Sequence, residues 1–409
     1  MKFFLYVLPV IILYITLSDC EPRNSKDINR VLTGAEILID SHLVELEGYR
    51  VGLVMNPTAR IGETHMLDTL IASGVNITAL FAPEHGFRGD AGAGELIEDG
   101  VDQDTGLPVY SLYGETRKPT GDMLESVDLL LFDMQDVGTR FYTYNATLGL
   151  ILEAASEFET KVWVLDRPNP LGGEYVSGWV LKPEFTSFVG MYPIPVAHGL
   201  TLGELGLMII GERWVELESV PEYRVIRMEG WERRMLWPDN GLPWFPPSPN
   251  LPTFEHAYAY PGTCFIEGTN LSEGRGTKDP FLILGAPDTE FNQSSLDQLQ
   301  SELSGVIVEK KVFTPESIPG KALNPKHEGE ICNGIRLRIT DYHQADPVKT
   351  GLQVMAFLLK HTPGAETNDF LYHLAGTREI ERIKEENPSD WQFETAQFEE
   401  LRGQYLLYE

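Results

Sequence analysis

The feature that leaves this chain fewest choices is an alternation of kinds: through its first half, short apolar runs trade places with helical patterns. "RVGLVMN" (50–56) reads as a strand, residues 63–73 as a helix and "NITALFAP" (76–83) as a second strand. A glycine-rich acidic stretch from Gly86 to Thr105 is expected to be a mobile loop, and "PVYSLYG" a short extended piece after it. "VDLLLFDMQD" (127–136) is a third strand, residues 145–158 a helix and "KVWVLDRPNP" (161–170) a fourth strand. Strands apolar on both faces and separated by helices must be covered on both sides. The predicted architecture is therefore α/β, a doubly wound and mostly parallel sheet.

A second unit is expected beyond the proline-rich "LPWFPPSPNLPTFEHAYAYPGT" (242–263), whose prolines predict an extended, stiff connection. Residues 264–287 read as a strand, a polar glycine-rich loop and another strand. A helix near 294–304, a strand near 306–313, an alternating strand at "GIRLRITD" (334–341) and helices near 347–361 and 366–374 complete the pattern. The tail from Arg378 to Glu409 is charged and helical. The expected divisions are a leader at 1–20, an N-terminal catalytic domain at 28–250 and a C-terminal α/β domain at 258–409.

Each of the four strands in the first half stops at polar residues: Asn56; Glu84 and His85; Asp133, Gln135 and Asp136; Asp166, Arg167 and Asn169. In open parallel sheets ligands bind outside the carboxyl ends of the strands, so these groups are expected to converge on one edge. Asp and Asn also open turns and cap helices, which is the competing explanation for any one of them. Mixed charge at four ends favours a site. The densest cluster is "FDMQDVGTRFYTYNATLG" (132–149), carrying Asp133, Gln135, Asp136, Arg140, Tyr142 and Tyr144.

Several chemistries lack their signatures. There is no G-x-G-x-x-G after the first strand, no P-loop and no G-x-S-x-G nucleophile elbow. A metal hydrolase assembled from His85, Asp133, Asp136, Asp166 and His198 ranks lower, because H-E-x-x-H spacing is absent; neither metal nor cofactor is expected. Glycoside cleavage needs a carboxylic acid that keeps its proton until the leaving oxygen takes it, plus a group that stabilises oxocarbenium character. Glu84, at the end of an apolar strand, suits the first role, and Asp133 or Tyr142 the second. A salt bridge from Glu84 to Arg88 is an equal alternative on sequence grounds. "EGRGT" (273–277) places Arg275 in a glycine-flanked loop suited to an anion or to a plain turn.

The 409 residues carry a net charge of −29, which excludes nucleic acid and anionic membrane surfaces as partners bound through excess Lys and Arg. Lys2, the apolar run Phe3–Leu17 and the polar residues after it have the pattern of a secretory leader, too short for a membrane span. The chain is therefore expected to be secreted or periplasmic, with no membrane insertion of its mature part. Leu17 to Cys20 also approximates a lipoprotein box, with Asp19 where a small residue is preferred, making Cys20 a candidate lipid anchor. Cys264 and Cys332 are left open between one disulfide and two buried thiols.

Taken together, "GLVMNPT", "FAPEHGFRG", "LLLFDMQDVGTRFYTY", "VLDRPNPLGG", "HGLTLGELG", "PSPNLP" and "YPGTCFIEGTNLSEGRGT" resemble the family of NamZ-type exo-β-N-acetylmuramidases, formerly a bacterial domain of unknown function. The resemblance runs from about Leu46 to the C-terminus, with departures at Leu282 and Asp288. It implies a Rossmann-like N-terminal domain, a smaller C-terminal α/β domain and an active site in the cleft between them. It implies a cofactor-free glycosidase that releases N-acetylmuramic acid from the non-reducing end of peptidoglycan fragments in cell-wall recycling; a non-catalytic cell-wall sugar-binding protein is the alternative. Glu84 of "PEHG" becomes the leading catalytic residue, flanked by His85 and Arg88. Asn250, Glu267, Asn270, Glu273 and Arg275 would close over the sugar. Muramic acid carries a lactyl carboxylate, and Arg88, Arg140, Arg167 and Arg275 are the cations expected to include its partner.

Overall fold

A computed structural model describes residues 30–84, 86–87, 99–114 and 116–409. The proposed leader with Cys20, together with His85, Arg88 and most of the glycine-rich loop, lies outside the described residues.

Seven strands form the main sheet: β1 (Val51–Met55), β2 (Ile77–Ala82), β3 (Gly100–Val101), β4 (Pro108–Ser111), β5 (Leu129–Asp133), β6 (Lys161–Leu165) and β7 (Tyr223–Ile226), in the order β3-β4-β2-β1-β5-β6-β7. All pairs are parallel except β3 with β4. Every residue of β1 and β5 is buried, as their unbroken apolar runs require. Alternation sorts the side chains: Val54, Phe81, Leu130 and Phe132 enter one core, whereas Leu53, Leu80, Leu131 and Trp163 enter another on the opposite face. From β1 the chain builds outward through β2 and β4, then returns to the other side of β1 for β5, β6 and β7. Its direction of growth therefore reverses between β1 and β5.

The smaller C-terminal domain has an antiparallel sheet of β8 (Ile283–Ala286), β9 (Val306–Phe313) and β10 (Cys332–Ile339), with β10 in the centre. The core on the first face continues into it through Phe265, Leu284, Leu337 and Leu352. The helices Phe254–Thr263 and Pro347–His361 touch at glycines. A Cβ on Gly351 would stand 2.0 Å from a backbone atom of Gly262, so only hydrogen fits.

Three expectations change. Part of the proline-rich stretch predicted to be extended is the helix Phe254–Thr263, with Pro261 inside it. Every residue of this helix except Glu255 is buried, so packing outweighs the N–H that proline cannot supply. Residues 264–268, predicted as a strand, form a 3₁₀ helix. Cys264 and Cys332 are buried free thiols rather than a disulfide.

Candidate active site

Glu84 follows β2 by two residues, and the turn behind it is closed by Gly86, whose positive φ of 79° suits glycine and whose N–H donates to the Pro83 carbonyl at 3.0 Å. Thr143, just before the helix Tyr144–Glu157, donates through Oγ1 to Glu84 Oε2 at 2.9 Å. Glu84 is half-buried and lines a cleft of about 480 Å³ together with Tyr113 and Arg117, which follow β4. Glu267, Glu273, Arg275, Lys321 and Lys326 face them from the C-terminal domain. Burial pushes the Tyr113 phenol up to about 12, and the adjacent Glu84 carboxylate adds to the shift. The hydroxyl therefore stays a proton donor at neutral pH.

Most charges on the far wall hold one another. Arg275 Nε and Nη2 donate to Glu267 Oε1 at 2.9 and 2.7 Å. Lys326 donates to the carbonyls of Ile266, Glu267 and Leu271 and stands 3.2 Å from Glu273. Arg117 lies over the ring of Phe188 at 4.2 Å, and neither it nor Lys321 has a carboxylate within ion-pair distance among the described residues. Beneath Glu84, Tyr142 and Tyr144 meet edge-on at 4.8 Å, and burial raises both phenols far above their ordinary value.

Of the expected site residues, Glu84, Glu267, Glu273 and Arg275 line this cleft. The others go elsewhere. Asp133 is fully buried and gripped by Arg167, Nη2 to Oδ2 at 3.0 Å, so it does not share the cleft with Glu84. Arg140 is fully buried and donates to the carbonyls of Trp179, Ile194 and Leu374 at 2.7 to 2.8 Å. Neither Arg140 nor Arg167 is therefore placed to meet a carboxylate in the cleft. Asp166 accepts from Thr201, Gly203 and Tyr408, and burial lifts it to about 6. Asp136 accepts from the Gly138 N–H at 2.7 Å and stands 3.9 Å from His198; burial moves the acid up to about 7 and the imidazole down to about 3.

Amides among the candidates mostly brace loops. Gln135 donates to the carbonyls of Asp136 and Pro168, and Asn169 to that of Leu200. Asn250 donates to the Lys321 carbonyl at 2.7 Å, holding a cleft segment from behind, and Asn270 ties its own loop to Gly364 and Glu366. Among the described residues no cluster of His, Cys, Asp and Glu could hold a metal ion, and no helix is long and apolar enough to cross a membrane. Sequence reasoning passed over Tyr113, Arg117, Thr143, Lys321 and Lys326. Thr143 sat inside "FYTY", and Tyr113 and Arg117 in or just after "PVYSLYG", where a strand of only four residues gave little signal.

This arrangement has counterparts. Residues 51–255 match the profile described as "Exo-beta-N-acetylmuramidase NamZ, N-terminal", and residues 258–408 match its C-terminal partner. The chain belongs to the NamZ family. A NamZ relative from Bacillus subtilis (strain 168), named "Peptidoglycan beta-N-acetylmuramidase NamZ", is 42% identical over 393 residues, covering 93% of this chain and 92% of that protein. Crystal structures of two DUF1343 family proteins from Bacteroides fragilis NCTC 9343 superpose with TM-scores of 0.81 and 0.76, at 34% and 33% identity. Each match covers 93% of this chain and, respectively, 100% and 99% of the other. The NamZ fold thus accounts for nearly the whole length of the chain.

Proposed function

We propose that this protein is an exo-β-N-acetylmuramidase, hydrolysing the bond that links a terminal N-acetylmuramic acid to the rest of a peptidoglycan fragment. One observation carries the catalytic assignment: in a NamZ-family chain, Glu84 opens into a cleft walled by both domains, with Thr143 fixing one carboxylate oxygen. In this reading the Glu84 carboxyl gives its proton to the departing glycosidic oxygen while water adds to the anomeric carbon, and the proton that the water sheds to solvent is matched by the one Glu84 regains. Tyr113 donates a hydrogen bond beside it. With Asp133 buried away from the cleft, support for positive charge on the ring comes from the substrate's own acetamido group or from Glu267 and Glu273, which line the cleft although Arg275 and Lys326 offset their charge.

The sugar's lactyl carboxylate needs a cation whose charge is not already matched. Among the described residues Arg117 and Lys321 fit that need, whereas Arg275 is occupied by Glu267. The leader pattern of residues 1–20 supports a reaction outside the cytoplasm, in turnover of the cell wall.

Incubation with a chromogenic β-N-acetylmuramide tests the proposal. The wild type should release the chromophore, and Glu84→Gln should bind the substrate without releasing it. Saturable binding by the wild type without release would support a sugar-binding protein instead.

A further inference from the structure

Beside the cleft, the same sheet edge holds a second hollow of about 190 Å³. It lies where the order of the sheet reverses. Thr58 and Arg60 enter its wall from beyond β1, Gln135 from beyond β5 and Arg167 from beyond β6, while Trp237 and Phe245 cover it from the connection between domains. The crevice at such a reversal is where open α/β sheets take up ligands, because the two flanking loops leave in opposite directions.

Among the described residues the hollow shares no lining side chain with the cleft. Close to both, Asn56 Nδ2 donates to the Tyr144 hydroxyl at 2.7 Å, and that hydroxyl donates to the Pro247 carbonyl at 2.9 Å.

The lining specifies a chemistry. Arg167 uses Nε and Nη2 on Asp133 and on the Arg60 carbonyl, leaving Nη1 without an acceptor among the described residues. Arg60 uses Nε on the Pro57 carbonyl and Nη1 on that of Glu63, lies 5.2 Å from the centre of the Phe245 ring, and has no acceptor at Nη2 among the described residues. Gln135, 2% exposed, commits its Nε2 and leaves Oε1 without a donor. Two spare guanidinium donors, an unmet acceptor and an aromatic wall suit a small acid with an apolar edge and a hydroxyl or N–H. The hollow has room for a ligand of lactate size.

We propose that this hollow is a second binding site, distinct from the catalytic cleft, that takes a small monocarboxylate through Arg60 and Arg167 against the face of Phe245. Lactate titrated into the intact protein and followed by saturation-transfer NMR tests it. The titration uses Arg117→Gln/Lys321→Gln protein, which lacks both cations assigned to a carboxylate in the cleft. Saturable binding should persist there and weaken at least tenfold when Arg60→Gln is added. Arg60 also braces its own hairpin, so Phe245→Ala, which spares those bonds, should weaken binding to a similar extent. The proposal is overturned if the Arg117→Gln/Lys321→Gln protein binds no lactate, or if either added substitution leaves binding undiminished.

Discussion

Two stretches of one sheet edge carry similar residues and use them in opposite ways. Beyond β2 and β4, Glu84, Tyr113 and Arg117 face a cleft. Beyond β5 and β6, Asp133, Asp136, Arg140 and Asp166 are buried and spend their polar atoms inward, on Arg167, the Gly138 N–H, three carbonyls and Tyr408. What differs is the cover. Segments from 169 to 201 and the C-terminal tail bring partners down onto β5 and β6, whereas the C-terminal domain stands across a gap from β2 and β4. A polar strand end is open to ligand only where no other part of the chain arrives to satisfy it.

Substitutions on the two sides should therefore fail in different ways. The largest effect is expected for Glu84→Gln, which should cut turnover of a β-N-acetylmuramide by about 10² to 10⁴-fold with little change in melting temperature. Should its thermal stability fall as far as its activity, the contrast between the two stretches collapses. Next is Asp133→Ala, which leaves Arg167 buried without its partner and should cost about 3 to 5 kcal/mol in denaturant unfolding. Arg117→Ala sharpens the cleft side. A lost charge-assisted contact of about 1.5 to 3 kcal/mol lowers the preference for muramides over glucosaminides by roughly 10 to 100-fold; an unchanged ratio would remove Arg117 from the carboxylate site. Thr143→Val, which deletes one hydrogen bond to Glu84, should slow turnover only a few-fold, about 1 kcal/mol.

A further effect is one of pH, and it belongs to the buried side. Asp136 is raised to about 7 and Asp166 to about 6, so between pH 4 and those values the native state holds protons that the unfolded chain has released. Their contribution to stability falls as pH rises through that window. His198, lowered to about 3, works in the opposite sense: the unfolded imidazole takes up a proton below about 6.5 while the native one stays neutral, so its contribution rises with pH from about 3 to 6.5. Asp136→Asn removes one falling contribution. The melting temperature of the variant minus that of the wild type should increase from pH 4 to pH 7, and a flat difference would contradict the assignment.

The strands and the rim were legible because their causes are local. Five buried residues in a row at β1 and again at β5 leave no face for solvent, and the polar residue that ends each run is visible in the chain. Which of those polar residues reach a ligand was not visible, because the answer depends on partners far away in sequence. Arg140 is answered by Leu374, and Asp166 by Tyr408. The helix Phe254–Thr263 was hidden for a related reason. Its prolines argue for extension, and only the arrival of Gly351 against Gly262 supplies the packing that overrules them. Arg117 escaped notice because nothing near it in the chain marks it; its meaning comes from lying on Phe188 inside a hollow.

The apolar core that continues from the parallel sheet into the C-terminal domain limits how the protein can work. Opening it like a jaw would wet Phe265, Leu284 and their neighbours, so a glycan chain cannot be clamped from the side by parting the two lobes. The hollow that receives sugar is instead cut in advance, held at a fixed width by the packing beneath it.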